Sequence, residues 1–203
     1  MSLPGPSTET LRLMDVDVFI LIGGRSSRFG SDKAFFEFEG EALAARMARV
    51  ARMAHPGAQV RFLAASGAQF GEKTTELGAP AVFDLRPGSG AWSGVHAALS
   101  CSQAEWTLIL ACDLAFVTAE FLRSLLENAM ENVDAVVPRQ PDGKLQPLCA
   151  VYRTHAVRPI VEKNIDSGGR LPPLASIFES LPTAIIDVDP EMLRNINSPA
   201  DLS

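Results

Sequence analysis

The sequence predicts a three-layer α/β/α fold built on one mostly parallel sheet, with an antiparallel hairpin or edge strand added. Three observations predict it. Apolar, β-rich runs recur along the chain. They are nearly continuous rather than alternating, as in strands covered on both faces. Amphipathic helical patterns fall between them, the order that produces parallel strand–helix–strand units.

The expected strands are Val16 to Ile22, Val60 to Ala65, Ala81 to Phe83, Trp106 to Cys112, Ala135 to Pro138, Leu148 to Tyr152 and Ala184 to Val188. After the first of them, Glu41 to Ala54 puts Leu43, Met47, Val50, Ala51 and Ala54 on one stripe and Arg46, Arg49 and Arg52 elsewhere, which is helical spacing. Thr118 is placed to cap a second helix, Ala119 to Glu131, with Phe121, Leu122, Leu125, Leu126 and Met130 inward. Pro141-Asp142-Gly143 reads as a tight turn before Leu145 to Tyr152 and is the source of the expected hairpin. Asn164 to Pro173 is rich in Gly and Pro and is expected to form a mobile rim over a site. Ser198-Pro199-Ala200-Asp201 has the form of an N-cap with proline at N1 and an acid at N3. No repeat or linker divides the chain, so a single domain over 16–203 is expected, preceded by a flexible tail over 1–15.

A chain of 203 residues, 47% hydrophobic and 21% charged, is long enough to bury roughly 70% of its unfolded surface around one core. Its net charge of −6 argues against a general nucleic-acid or anionic-membrane binder, because such surfaces are held by a surplus of Lys and Arg. Phosphate chemistry in this chain must therefore use a local cluster of cations. Cys101, Cys112 and Cys149 are odd in number, far apart and without a CxxC pair, which suggests neither a disulfide framework nor a zinc site. The opening residues lack the basic start and apolar core of a signal peptide, and no uncharged run approaches the ~18 residues of a membrane span. A cytoplasmic protein is expected.

Chemistry concentrates after the first strand, in Leu21-Ile22-Gly23-Gly24-Arg25-Ser26-Ser27-Arg28-Phe29-Gly30-Ser31-Asp32-Lys33. Paired glycines let backbone N–H groups approach an anion, and Arg25, Arg28 and Lys33 supply the local positive charge. In an open α/β sheet such a loop sits beyond the carboxyl ends of the strands, where ligands bind. A solvated turn with surface arginines has the same composition. The loop is neither a Walker A motif, since no GK[ST] closes it, nor the G-x-G-x-x-G dinucleotide fingerprint.

This segment resembles the LAGGxSxRMGxDK signature of the molybdenum cofactor guanylyltransferases and, more loosely, of related sugar-phosphate and cytidylyl transferases, with Ile22 for the usual alanine and Phe29 for methionine. Four later blocks resemble the same family in the same order. Asp84 and Gly90-Ala91-Trp92-Ser93-Gly94 are similar to its D…GPLAG, and Cys112-Asp113-Leu114-Ala115-Phe116 to its CDxPF. Gln146 to Tyr152 is similar to QPLxALY, and Asn195-Ile196-Asn197-Ser198-Pro199-Ala200-Asp201-Leu202 to NxNTPEDL. Ala91 and Ala115 depart from the pattern, each standing where proline is usual.

The resemblance implies a Rossmann-like nucleotidyltransferase sheet of the GT-A type and transfer of GMP from GTP to the terminal phosphate of molybdopterin or Mo-molybdopterin. Leu21, Ile22, Gly23, Gly24, Asp84 and Gly94 would bind the nucleotide, Arg28 and Lys33 its phosphates, and Asp113 a Mg2+ ion at a strand's carboxyl end. Gly94 would let its helix approach the ligand. Asn195 and Asn197 would meet the pterin or its phosphate, and Arg170 is a further candidate there, although it reads equally as a surface arginine. Cofactor-delivery and acceptor proteins would be compatible partners. Cys112 reads as packing, and His55, His96 and His155 lie in separate elements and suggest no metal triad or Ser-His-Asp arrangement. Three other readings remain open from sequence: a related transferase using CTP, a nucleotide-binding regulator without catalysis, and a Rossmann oxidoreductase.

Overall fold

The computed structural model describes residues 14–22, 33–65, 78–86 and 88–196. Residues 1–13 of the tail expected over 1–15, and the Ser198 cap, lie outside these residues; Asp15 is described, and its C=O accepts from Trp106 N–H at 3.0 Å. The strands are β1 (Val16–Leu21), β2 (Glu37–Phe38), β3 (Glu41–Ala42), β4 (Gln59–Ala64), β5 (Ala81–Phe83), β6 (Trp106–Ala111), β7 (Ala135–Arg139), β8 (Cys149–Arg153) and β9 (Thr183–Asp187). The helices are α1 (Leu43–Ala54), α2 (Ala91–Cys101), α3 (Ala119–Glu127) and α4 (Thr154–Asp166).

Seven strands form one sheet in the order β5-β4-β1-β6-β8-β7-β9. β1 lies parallel between β4 and β6, with Leu21 opposite Leu63 on one side and Ala111 on the other. β8 runs antiparallel to both neighbours, β6 and β7, and β7 pairs parallel with β9. The expected antiparallel strand is thus an interior one, buried from Cys149 to Tyr152.

Alternation along the strands separates two apolar layers. Val16, Val18 and Ile20 pack with Met47, Ala51, Leu122 and Leu125 of α1 and α3. Phe19, Leu63, Ile109 and Tyr152 pack on the other face with Trp92, Val95 and Leu99 of α2 and Val157 and Val161 of α4. Asp17 is the one charged residue in β1, and it is buried. Its carboxylate accepts from Ser102 Oγ at 3.1 Å and Gln103 N–H at 3.0 Å and pairs with Arg61 at 3.1 Å, so the charge is compensated at the end of the sheet opposite Leu21.

Local chemistry moved several expected boundaries. The first helix begins at Leu43 rather than Glu41, because Glu41 and Ala42 pair with Glu37 and Phe38 in a two-strand ribbon. The second keeps its Thr118 cap, whose Oγ1 accepts from Phe121 N–H at 3.2 Å, but ends at Glu127 rather than Glu131. Asn164 to Asp166, expected in a loop, form the last turn of α4, leaving only 167–173 as the rim.

Candidate active site

Three strand ends are held level by backbone bonds beyond the strands themselves. Ile22 N–H donates to Leu63 C=O at 2.9 Å, and Cys112 N–H donates to Leu21 C=O at 3.1 Å. From β1 the chain goes outward to β4 and β5 and then crosses back to β6 on the other side. That reversal is the switch point at which open α/β sheets bind ligands beyond their carboxyl ends. Of the candidate residues that are described, Leu21, Ile22, Lys33, Asp113 and Asn195 lie around it.

Lys33 opens a short 3-10 turn, Lys33–Phe35, whose closure by Phe36 N–H on Lys33 C=O fixes its direction. Its ammonium donates to Asp113 Oδ2 at 2.7 Å, with the side chains only 14% and 21% exposed. A lysine and a carboxylate far apart in sequence therefore face each other at the mouth of β1 and β6. Asp113 is also tied to the C-terminal segment: Ile196 N–H donates to Asp113 C=O at 3.0 Å. Ile196 is buried in a small cluster with Leu43 and Ala115, bordered by Phe36, Phe38 and Phe116. The Arg194 guanidinium lies 4.2 Å above the Phe116 ring, and Phe38 meets that ring edge-on. Asn195 is held between these two anchors.

Among the described residues, two buried acceptors at this edge have no hydrogen-bond partner: Asp84 Oδ1 and Asn195 Oδ1. Leaving such an atom unpaired costs about 1–3 kcal/mol, so each suits a donor brought by a ligand. Asp84 follows β5 directly and its N–H donates to Ala64 C=O at 3.0 Å. Burial pushes its carboxyl above the ordinary aspartate value.

The segment after Asp84 is stiffened by Ser93, whose Oγ donates to Arg86 C=O at 2.6 Å and accepts from Ser89 N–H at 3.0 Å. Gly90 precedes α2 at φ 58 and ψ −130, a backbone conformation open essentially only to glycine. Gly94 serves packing against a site residue: a Cβ there would lie 2.7 Å from Leu21 Cδ2. The missing side chain at Gly94 lets the helix and Leu21 approach each other closely.

The structure brings Lys33, Asp113 and Asn195 together at one strand end and sets Leu21 against Gly94. Ile22 is buried beside β4. Arg170 is exposed in the rim, and among the described residues no hydrogen bond or ion pair joins it to Lys33, Asp113 or Asn195. Gly23, Gly24, Arg28 and Asn197 lie outside the described residues. Among those described, no group of three His, Cys, Asp or Glu side chains converges to hold an ion. None of the three cysteines is in a disulfide, and burial pushes the Cys149 thiol up to about 12, in keeping with a packing role. No helix of the described residues is long and apolar enough to cross a membrane.

Sequence reasoning did not anticipate two ties from the Asp84 to Gly94 segment, one to the rim and one to the end of α4 just before it. The indole N–H of Trp92 donates to Pro172 C=O at 2.9 Å, and Arg86 pairs with Asp166. The available signal was a tryptophan in the GAWSG block where the family's pattern has leucine.

A family model described as "MobA-like NTP transferase domain" matches residues 18–180. A protein of Pelotomaculum thermopropionicum named "Probable molybdenum cofactor guanylyltransferase" is 36% identical over 193 residues, covering 90% of this chain and 88% of that one. A Carboxydothermus hydrogenoformans protein of the same name is 32% identical, covering 93% and 94%. The solved structure of molybdopterin-guanine dinucleotide biosynthesis protein A from Archaeoglobus fulgidus superposes with a TM-score of 0.73 at 26% identity, covering 92% of this chain and 94% of that one.

Proposed function

We propose, from the premise that this chain belongs to the MobA-like NTP transferase family, that it transfers GMP from GTP to the terminal phosphate of molybdopterin and releases pyrophosphate. The observation that carries the reading is the Lys33–Asp113 pair at the switch point, with Asn195 fixed beside it through Ile196. The names borne by the relatives and by the solved structure support a guanylyl donor and a molybdopterin acceptor.

A phosphate oxygen of molybdopterin attacks the α-phosphorus of GTP. The new P–O bond forms as the bond to the β-phosphate oxygen breaks, and pyrophosphate departs with the electron pair. Since the attacking group is already an anion, the site needs no strong base, and its residues act by positioning and by offsetting charge. Lys33 supplies a cation to the triphosphate, together with Arg28. Asp84, carrying an unpaired buried acceptor, suits the N1–H and N2–H donors of guanine or a ribose hydroxyl. Leu21 and Ile22, followed by Gly23 and Gly24, shape the nucleotide side, with Gly94 holding Leu21 in place. Asn195, with Asn197, faces the acceptor, whose phosphate Arg170 would also meet.

Asp113 fits Mg2+ by its donor chemistry: a partly exposed carboxylate at a strand end suits this ion, which is commonly held by one or two carboxylates with substrate phosphates completing its shell. When bound, the ion would neutralise phosphate charge and lower the cost of its build-up during transfer.

The direct test is transfer to molybdopterin with GTP, CTP and ATP offered in turn, read as dinucleotide formed and pyrophosphate released. GTP should exceed CTP by at least about tenfold, the loss expected from one unpaired buried group. Preference for CTP would replace the guanylyl reading, and inertness with every nucleotide would remove the transferase reaction.

A further inference from the structure

We infer that Trp92 is a positioning residue of the acceptor side, fastening the 167–173 rim, and Arg170 with it, to the first turn of the helix that follows the nucleotide segment. This deepens the proposed transfer reaction and rests on it for the identity of the acceptor. The rim crosses from α4 to the 3-10 turn Leu174–Ser180. Its composition predicts mobility, yet it is attached at several points. The Trp92 indole is buried in the same apolar cluster as Val95, Ile177 and Phe178, and Leu171 and Leu174 pack against that cluster. From there the indole N–H reaches Pro172 C=O at 2.9 Å. Arg86, two residues beyond Asp84, pairs with Asp166, the last residue of α4 directly before the rim.

These attachments fall on either side of Arg170, so the exposed guanidinium is carried on a short span whose two ends are tied to the Asp84 to Gly94 segment. The two ties differ in weight. Arg86 and Asp166 are about half exposed, and such pairs contribute little. The Trp92 bond is partly buried and stands on a packed ring, so it should dominate. Phenylalanine at position 92 would keep an aromatic ring in the cluster and lose only the donor, which separates anchoring from packing.

The test compares the parent chain with Trp92→Phe and with Arg86→Gln, the latter a surface change that leaves the core untouched. Two readouts are taken. One is the rate at which trypsin cuts after Arg170 in the ligand-free protein, a measure of how often the rim opens. The other is steady-state GMP transfer with molybdopterin and GTP varied separately. Trp92→Phe should raise the cutting rate and the KM for molybdopterin together, each about two- to tenfold, the range expected for one hydrogen bond. The kcat and the KM for GTP should stay within about twofold, which a general loss of packing would not allow. Arg86→Gln should move both readouts in the same direction by less. Adding Arg170→Gln to Trp92→Phe should raise the molybdopterin KM by less than the product of the single effects. Unchanged cutting and unchanged molybdopterin KM in Trp92→Phe would overturn the inference, as would equal rises in both KM values. A parent chain inert with every nucleotide would count against the proposed reaction instead, and the cutting rate would still decide whether Trp92 anchors the rim.

Discussion

The Lys33 ammonium lies 2.7 Å from Asp113 Oδ2 at the junction of β1 and β6. In this arrangement each charge compensates the other, and a triphosphate with its cation would exchange that contact for two stronger ones: Lys33 to phosphate oxygens, Asp113 to the cation. Asp113→Asn removes the charge but keeps the shape. Turnover with Mg2+ should fall by at least ~10²-fold, since one preorganised electrostatic contact is worth about 2.7–4 kcal/mol, while unfolding stays cooperative. Near-normal turnover would take Asp113 out of the chemistry.

Lys33→Ala should lower transfer far more than Arg52→Ala. Arg52 is also a cation, but it lies exposed on α1 and donates to Gly78 C=O at 2.8 Å, away from the switch point. Steady-state rates for the two variants, measured side by side, check this. Equal rates would mean that the positive charge at position 33 has no special task.

Asp84 gives a pH-dependent prediction. Burial raises its pKa above the ordinary 3.8, so the native chain holds this proton more tightly than the unfolded one. Stability from this group is fully present below the ordinary value and is lost as pH rises through the raised one. At pH 7 the charged, partly unpaired carboxylate is therefore a cost. Asp84→Asn should melt above the parent at pH 7, with the gain shrinking as pH falls towards 3.8, while its affinity for GTP drops by about tenfold as an acceptor for the base is lost. A variant that melts lower at pH 7 would show that Asp84 is satisfied in the free protein.

Gly94→Ala pits two effects against each other. Alanine is favoured over glycine in a helix by up to about 1 kcal/mol. Against that, its Cβ would come within 2.7 Å of Leu21 Cδ2, and such overpacking costs about 1–3 kcal/mol. Because the atom struck is the end of a flexible side chain, the fold should survive with a small loss of Tm, and the displaced Leu21 should raise the KM for GTP. Adding Leu21→Ala should restore the Tm without restoring the KM. A parental KM in Gly94→Ala would separate Leu21 from the nucleotide.

The strands were legible because a sheet covered on both faces demands unbroken apolar runs, and β1, β4, β5 and β6 fall within a residue of expectation. The place of a candidate residue at a strand end was legible for the same reason: once β6 is recognised, Asp113 must follow its end. α4 was not, since only Thr154, Val157 and Val161 are buried and Pro159 lies inside it, a thin stripe with an apparent breaker. The β2–β3 ribbon turns through Glu39 at φ 52, a conformation that Glu rarely adopts and that composition does not announce. The Trp92–Pro172 and Lys33–Asp113 contacts join residues 80 apart in the chain. No local period encodes such pairings; they follow from the strand order, in which β6 returns beside β1 and β8 enters beside β6.

Guanine selectivity is the last expectation, and it can be measured without the oxygen-sensitive acceptor. Guanine presents adjacent N1–H and N2–H donors, whereas cytosine and adenine offer no such pair, and Asp84 Oδ1 is a buried acceptor with no partner among the described residues. With the wrong base that atom stays unpaired, at a cost of about 1–3 kcal/mol. A ligand at about 100 times its Kd stabilises the native chain by ~2.7 kcal/mol. For a domain of this size that is a rise in Tm of about 5–10 °C. A loss of ~2 kcal/mol weakens binding about thirtyfold, so CTP at the same concentration should give a clearly smaller shift. Asp84→Asn should shrink the GTP shift towards that of CTP, which ties the selectivity to this side chain. An equal or larger shift with CTP in the parent would transfer the assignment to cytosine. A GTP shift that Asp84→Asn leaves intact would keep guanine and place its recognition on the backbone beyond β1.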